Sequence, residues 1–146
     1  MTIGIGGELA GLFLAAFTAA TILPGASEAA LVAVLAAGAS PPAIAIAVAT
    51  VGNTLGSTVN WAIGRFLAHL REHPRFPVPK AKFERYLDAH RRWGVWVLLL
   101  SWAPVIGDPL TVVSGVLRTP LWIFVPVVGL VKLLRYLVVA GFVGLF

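Results

Sequence analysis

LAGLFLAAFTAATILPGASEAALVAVLAAGASPPAIAIAVATVGNTLGSTVNWAIG, residues 9–64, carries a single ionisable side chain, Glu28. A helix needs about 20 apolar residues to cross a hydrocarbon core roughly 30 Å thick, and this run is far longer. Its richness in Gly, with Pro at its breaks, suits membrane helices better than soluble ones. Nothing in it alternates apolar and polar with the period of two that a barrel wall requires. The whole chain agrees: 59% of residues are hydrophobic and 12% charged, against about 25% charged in a soluble domain. The expected class is all-α and integral to the membrane. That composition argues against a soluble enzyme.

Working outward from Glu28, Pro24-Gly25 breaks the first apolar segment, Leu9 to Leu23, which is short for a crossing. A second short segment runs from Ser27 to about Gly38, before Ser40-Pro41-Pro42. Two half-length helices around a Pro-Gly break predict a re-entrant hairpin, with a single broken transmembrane helix as the alternative. Ala43 to Phe66 is long enough for one full span. No Lys or Arg precedes the apolar core Leu12 to Leu23, so residues 1–23 read as mature protein and not as a signal peptide.

Residues 65–92 hold every basic residue except Arg118, Lys132 and Arg135. The positive-inside rule places residues 67–92 in the cytoplasm of a multi-pass protein of the plasma membrane. The net charge of +5 is then a matter of anionic lipid and not of nucleic acid. Pro74, Pro77 and Pro79 keep the first half of this loop non-helical. From Lys80 to Trp93 the apolar residues Phe83, Tyr86, Leu87 and His90 follow helical spacing, as in an amphipathic helix lying on the membrane surface.

Trp93 to Trp102 is again short and apolar. It breaks at Pro104-Val105-Ile106-Gly107-Asp108-Pro109 and resumes through Gly115 to Arg118, after which Leu121 to Phe146 is a second full span. The halves read alike, so the expected architecture is two inverted repeats. Each is a re-entrant helical hairpin plus a full transmembrane helix, with a cytoplasmic amphipathic interfacial helix between. The chain is then one membrane domain, residues 1–146, divided as 1–66, 67–92 and 93–146.

Glu28 and Asp108 each follow a Pro/Gly break near mid-membrane, where ionisable groups are costly and mark function. Capping is the competing reading. Asp108-Pro109 fits an N-cap followed by proline at N1, and Glu28 would sit in a first turn where the helix dipole favours an anion. A neutral Ser or Asn would cap equally well. Lys132 and Arg135, three residues apart in the last span, share a helix face and need partners. Those expected are Glu28 and Asp108. Arg118 and Arg65 read as interfacial anchors, Arg65 also as a head-group contact. Gly52 and Gly56 allow close helix approach. Asn53 and Asn60 can hydrogen-bond backbone that the hairpin breaks leave unsatisfied. The glycine-rich span is compatible with a homo-oligomer.

Other chemistries find no support. The chain has no cysteine. His69 and His73 stand at metal-pair spacing but no third ligand is evident, so neither metal nor cofactor is expected. Ser101 and Ser114 lack a triad, and there is no Walker-type phosphate loop.

Leu23-Pro24-Gly25-Ala26-Ser27-Glu28, the block Gly52-x3-Gly56-x3-Asn60-Trp61-x2-Gly64-Arg65, and Pro104-x10-Gly115 together resemble the DedA family. These are also called VTT or SNARE-associated proteins, and the resemblance covers nearly the whole chain. Its short length and Ser101-Trp102-x-Pro104-x2-Gly107-Asp108 are most similar to the compact YqaA-type branch. The resemblance implies two re-entrant hairpins packed on transmembrane helices. It also implies movement of lipids or polyprenyl-phosphate carriers, in some members dependent on the proton-motive force. Glu28 falls where the family has a functional acidic residue. Larger members carry Arg-Phe-x-Pro-x-x-Arg in the second hairpin, and those arginine positions here are Ser101 and Gly107. Lys132 and Arg135 are the expected substitutes for that charge. The functional expectation is a flippase-like transporter of an anionic lipid or polyprenyl phosphate, with Glu28, Asp108, Lys132, Arg135, Arg118, Asn53, Asn60 and Arg65 at its site. The alternative is a membrane organiser or assembly factor that reuses the fold without transport.

Overall fold

The computed structural model describes residues 2–21, 26–38, 40–67, 69, 80–102 and 104–142, and among these the principal elements are six α-helices and a nine-residue 310 helix. In order they are α1 (Thr2–Thr21), α2 (Ala26–Ala37), α3 (Pro42–Leu67), α4 (Lys80–Trp93), the 310 helix (Gly94–Trp102), α5 (Pro104–Val116) and α6 (Leu121–Phe142). At 1.5 Å per residue α3 is about 39 Å long and α6 about 33 Å, enough to cross a bilayer, whereas α2 and α5 at roughly 18–20 Å are not. The helices long and apolar enough to cross are α3 and α6.

The first helix departs from the reading above. It begins at Thr2, not Leu9, and has 20 residues, of which the apolar stretch Gly7–Ala19 remains short for a crossing. Its N-terminal half is anchored by Ser40, whose Oγ donates to Glu8 Oε2 at 2.9 Å. That bond makes a carboxylate acceptable where the apolar pattern had stopped. It also shows that α2 runs back along α1, because Ser40 follows the end of α2. The Pro24-Gly25 break, Leu23 and Pro74 to Pro79 with His73 lie outside the described residues.

The second break is also differently placed. Helix α5 already begins at Pro104, so Asp108 is its fifth residue and not an N-cap. Proline's fixed φ suits a first helical turn, and a later proline costs the helix a hydrogen bond without forbidding helical φ. Gly38 and Gly94, with φ of 72° and 62°, end α2 and α4 in the left-handed conformation that glycine adopts without strain.

The helices pack as two units that cut across both long helices: residues 1–56 with 129–146, and residues 57–128. In the first, Leu12 and Ala16 of α1, Leu31, Val34 and Leu35 of α2, Ala45, Ile46 and Ala49 of α3, and Tyr136 and Ala140 of α6 form the buried core. Gly52 faces the Phe13 carbonyl so closely that a Cβ would lie 2.8 Å from it.

In the second unit the apolar face of α4 is taken up by α5. Phe83 and Leu87 bury against Val112 and Val113, with Tyr86, Val116 and Leu117 around them. The periodicity that suggested a surface helix is thus satisfied by protein. Leu98 of the 310 helix packs with Phe124 and Val128 of α6 and with Trp61. Helices α3 and α5 touch backbone to backbone: a Cβ on Gly64 would collide with the Val112 carbonyl, and one on Gly115 with the Trp61 carbonyl. Large apolar side chains face outward, among them Leu14, Val51, Leu55 and Leu130 in the first unit, and Phe66, Trp96 and Trp122 in the second. So much exposed apolar surface needs a non-aqueous neighbour.

Gly64→Ala and Gly115→Ala should each destabilise the fold by about 1–3 kcal/mol or more, since backbone must shift. Gly11→Ala, where a Cβ meets nothing within 4 Å, should be neutral or stabilise by about 0.5–1 kcal/mol. Thermal unfolding in detergent compares them. His90 of α4 is buried, its Nε2 without a hydrogen-bond partner among the described residues, and burial lowers its pKa from 6.5. The folded state therefore favours neutral imidazole, so docking of α4 is intact above pH 6.5 and weakens as pH falls below it. The protection of α4 amides from hydrogen exchange, taken relative to the intrinsic rate at each pH, should fall at about pH 5 in the native chain and not in His90→Leu.

Candidate functional site

Helix α2 starts at Ala26 and carries Ser27 and Glu28 in its first turn, where unpaired N–H groups and the helix dipole favour an anion. Ser27, fully buried, donates its hydroxyl to Glu28 Oε2 at 3.2 Å. On the other carboxylate oxygen stands α6: Arg135 Nη2 lies 2.8 Å from Glu28 Oε1. The sequence expectation that a deep arginine meets Glu28 is realised. Arg135 and Lys132 are both buried, Lys132 to 1% exposure, and their three-residue spacing puts them on one face of α6. Lys132 is itself engaged in a polar or electrostatic contact.

The geometry of the pair is informative. Among the described residues Glu28 Oε1 has no well-directed hydrogen bond despite the short distance, so its contact with Arg135 Nη2 is an off-line ion pair. Arg135 also donates to the Tyr136 hydroxyl at 3.4 Å. Tyr136 is fully buried at the heart of the first unit's core, so it ties the charged pair to the packing of all four helices there. Taking two charges out of water costs several kcal/mol each unless the partners compensate. The side-chain exposures are 8% for Arg135 and 23% for Glu28, so Glu28 is the more exposed partner, although its Oε1 is buried against the arginine.

Asn53 completes this unit. It is buried, and its Nδ2 donates 2.8 Å to the Ala16 carbonyl, which lies within α1 and not at the Pro24-Gly25 break whose backbone the sequence offers as its partner. Its Oδ1 has no hydrogen-bond partner among the described residues, leaving an acceptor in the same unit as the pair.

The remaining candidates belong to the second unit. Asn60 is buried and engaged in a contact of its own. Arg65 lies in the last turn of α3, its guanidinium 5.2 Å from the Phe66 ring centroid. Arg118 is exposed, just beyond α5. The Asp108 side chain lies outside the described part of the structure. Glu28, Asn53, Lys132 and Arg135 thus share one packing unit, and Asn60, Arg65 and Arg118 the other.

Sequence reasoning overlooked three groups: Tyr136, Glu8 and Ser27 as a carboxylate donor. A tyrosine beside an intramembrane arginine was a usable signal. The Glu8–Ser40 bond joins residues 32 apart in the chain, and no local pattern announces it.

A model of the VTT domain matches residues 23–145. The chain belongs to the VTT-domain (DedA) family. Its relatives in that family include the inner membrane protein YqaA of Escherichia coli K12, 40% identical over 134 residues, which cover 92% of this chain and 89% of that protein. YqaA of Shigella flexneri matches to the same extent. An uncharacterised protein of Haemophilus influenzae is 37% identical over 114 residues, 73% of this chain and 69% of its own. No solved structure matches. Family membership makes this a membrane protein, which accounts for its outward apolar side chains.

Arg135→Leu should destabilise the fold, by less than the about 3–5 kcal/mol of a fully buried pair, because it leaves a half-buried carboxylate without its cation. Glu28→Leu with Arg135→Leu should recover most of that loss, since both charges go together. Chemical or thermal unfolding of the single and double variants in one detergent gives the comparison.

Proposed function

We propose that this chain moves an anionic lipid or polyprenyl-phosphate carrier across the bacterial inner membrane, and that Glu28 and Arg135 form its switch. The observation that carries the reading is the off-line ion pair, 2.8 Å long and buried at its cationic end. A head-group phosphate is a stronger, multidentate acceptor for a guanidinium than a single misaligned carboxylate oxygen. Phosphate and Glu28 would therefore compete for Arg135. Protonating Glu28 removes the competitor, so proton uptake and anion binding become linked at one side chain. Lys132, one turn away, adds a second positive charge for the head group, standing in for the two arginines missing at Ser101 and Gly107. Asp108 would serve as a second proton-exchanging carboxylate.

The proposal includes the finer architecture: re-entrant pairs α1–α2 and 310–α5 in an inverted repeat, with residues 67–92 on the cytoplasmic side. Short helices α2 and α5 at matching places in the two halves support it. The inner-membrane location rests on the names of the YqaA relatives and the basic loop. A second reading, a non-transporting organiser of membrane assemblies, is favoured by the pair being closed, as a purely structural bridge would be.

Purified protein in liposomes should translocate anionic phospholipid or polyprenyl phosphate, faster with an imposed pH gradient. Glu28→Gln should abolish the pH dependence and cut the rate at least about tenfold, equal to about 1.4 kcal/mol of barrier, and Asp108→Asn should also reduce it. Folded protein that moves none of these lipids would replace transport with the organiser reading.

A further inference from the structure

In the second unit, α5 ends in an arginine that the backbone would rather have as glycine. Arg118 has φ of 60°, the non-glycine residue with positive φ among those described. Around it, Arg118 N–H donates to the Gly115 carbonyl at 2.9 Å and Thr119 N–H to the Ser114 carbonyl at 3.1 Å. Those two bonds define a Schellman C-cap with Arg118 at the position where glycine is preferred. A side chain in this conformation costs about 1–2 kcal/mol. Such a departure, when it persists, directs attention to what the side chain does.

The surroundings indicate a task. Arg118 is exposed and makes no ion pair among the described residues. Arg65 comes to the same place: the α3–α5 crossing sets the Arg65 backbone nitrogen within 2.9 Å of where a Gly115 Cβ would be, three residues before Arg118. A continuous set of contacts joins the two. The Arg65 guanidinium lies against Phe66, Phe66 meets Trp61 edge-on with centroids 6.3 Å apart, and the Trp61 indole N–H donates 2.8 Å to the carbonyl of Thr119, next to Arg118. Two outward aromatic side chains are near in the chain, Phe66 next to Arg65 at 64% exposure and Trp122, four residues after Arg118 at the start of α6, at 77%. Trp and other aromatic rings prefer the depth at which lipid head groups meet acyl chains.

We propose that Arg65 and Arg118 form a second anion site, a clamp for the phosphate of an anionic phospholipid at the membrane interface, with Phe66 and Trp122 setting its depth. The site belongs to the second unit and does not depend on whether the chain transports anything. Two guanidiniums with no carboxylate partner among the described residues supply the charge complement of a phosphodiester. The flanking aromatic rings select a lipid over a soluble phosphate.

Arg118→Gly separates this role from a structural one, because glycine suits the cap. The full chain in nanodiscs of phosphatidylcholine should bind added phosphatidylglycerol, measured by native mass spectrometry, more tightly than further phosphatidylcholine. Arg118→Gly should keep or raise thermal stability while weakening phosphatidylglycerol binding about tenfold, the loss of one charge-assisted contact. Arg65→Gln should weaken it similarly. Unchanged phosphatidylglycerol binding in folded Arg118→Gly would overturn the site. Competition by glycerol phosphate at concentrations comparable to the lipid would overturn its assignment to a membrane lipid.

Discussion

A carboxylate and a guanidinium held in an apolar interior constrain everything packed around them. Neither Glu28 nor Arg135 is tolerable alone among Leu12, Leu31, Val34 and Ala140, so α2 and α6 must meet where these two side chains can touch. Ser27 and Tyr136 are the means by which the contact is fixed. One binds the carboxylate from its own helix turn and the other ties the arginine into the core. An ion pair is poor material for stability alone, since apolar side chains of similar volume would hold the helices together as well or better. Retaining it suggests use of its charge.

The close approach of helix backbones is the second constraint, and it is met by glycine where nothing else fits. Gly52 lets α3 lie against α1 and brings Asn53 to the Ala16 carbonyl. Gly64 and Gly115 let α3 and α5 cross in contact, which sets Arg65 beside the end of α5. Without a hydrophobic driving force between helices in lipid, such packing and a few directed hydrogen bonds carry much of the association. The same features that make the fold possible also position its polar groups.

Much of this was legible along the chain because membrane helices announce themselves by composition. The long helix α3, the short α2 with Ser27 and Glu28 in its first turn, and the meeting of Arg135 with a carboxylate all followed from the cost of burying charge. What was hidden depended on distant partners. The start of α1 lay beyond Glu8 because only Ser40 makes that carboxylate acceptable there. Pro104 to Pro109 read as a break because proline usually ends helices, yet the chain is helical from Pro104 onward. The apolar stripe of α4 could have faced lipid or protein, since its spacing is the same for both, and α5 covers it. Arg118 looked like an ordinary anchor because a left-handed cap leaves no mark when the residue is not glycine.

Proton-linked transport at this site requires an anionic head group to open the Glu28–Arg135 pair by way of a proton. Infrared difference spectroscopy of the full chain in nanodiscs, on addition of the transported anionic lipid, reads this directly at the carboxyl C=O stretch. Binding should bring up a band of protonated carboxylic acid that Glu28→Gln removes. Lipid binding and movement with Glu28 ionised throughout, and no such band, would contradict that linkage.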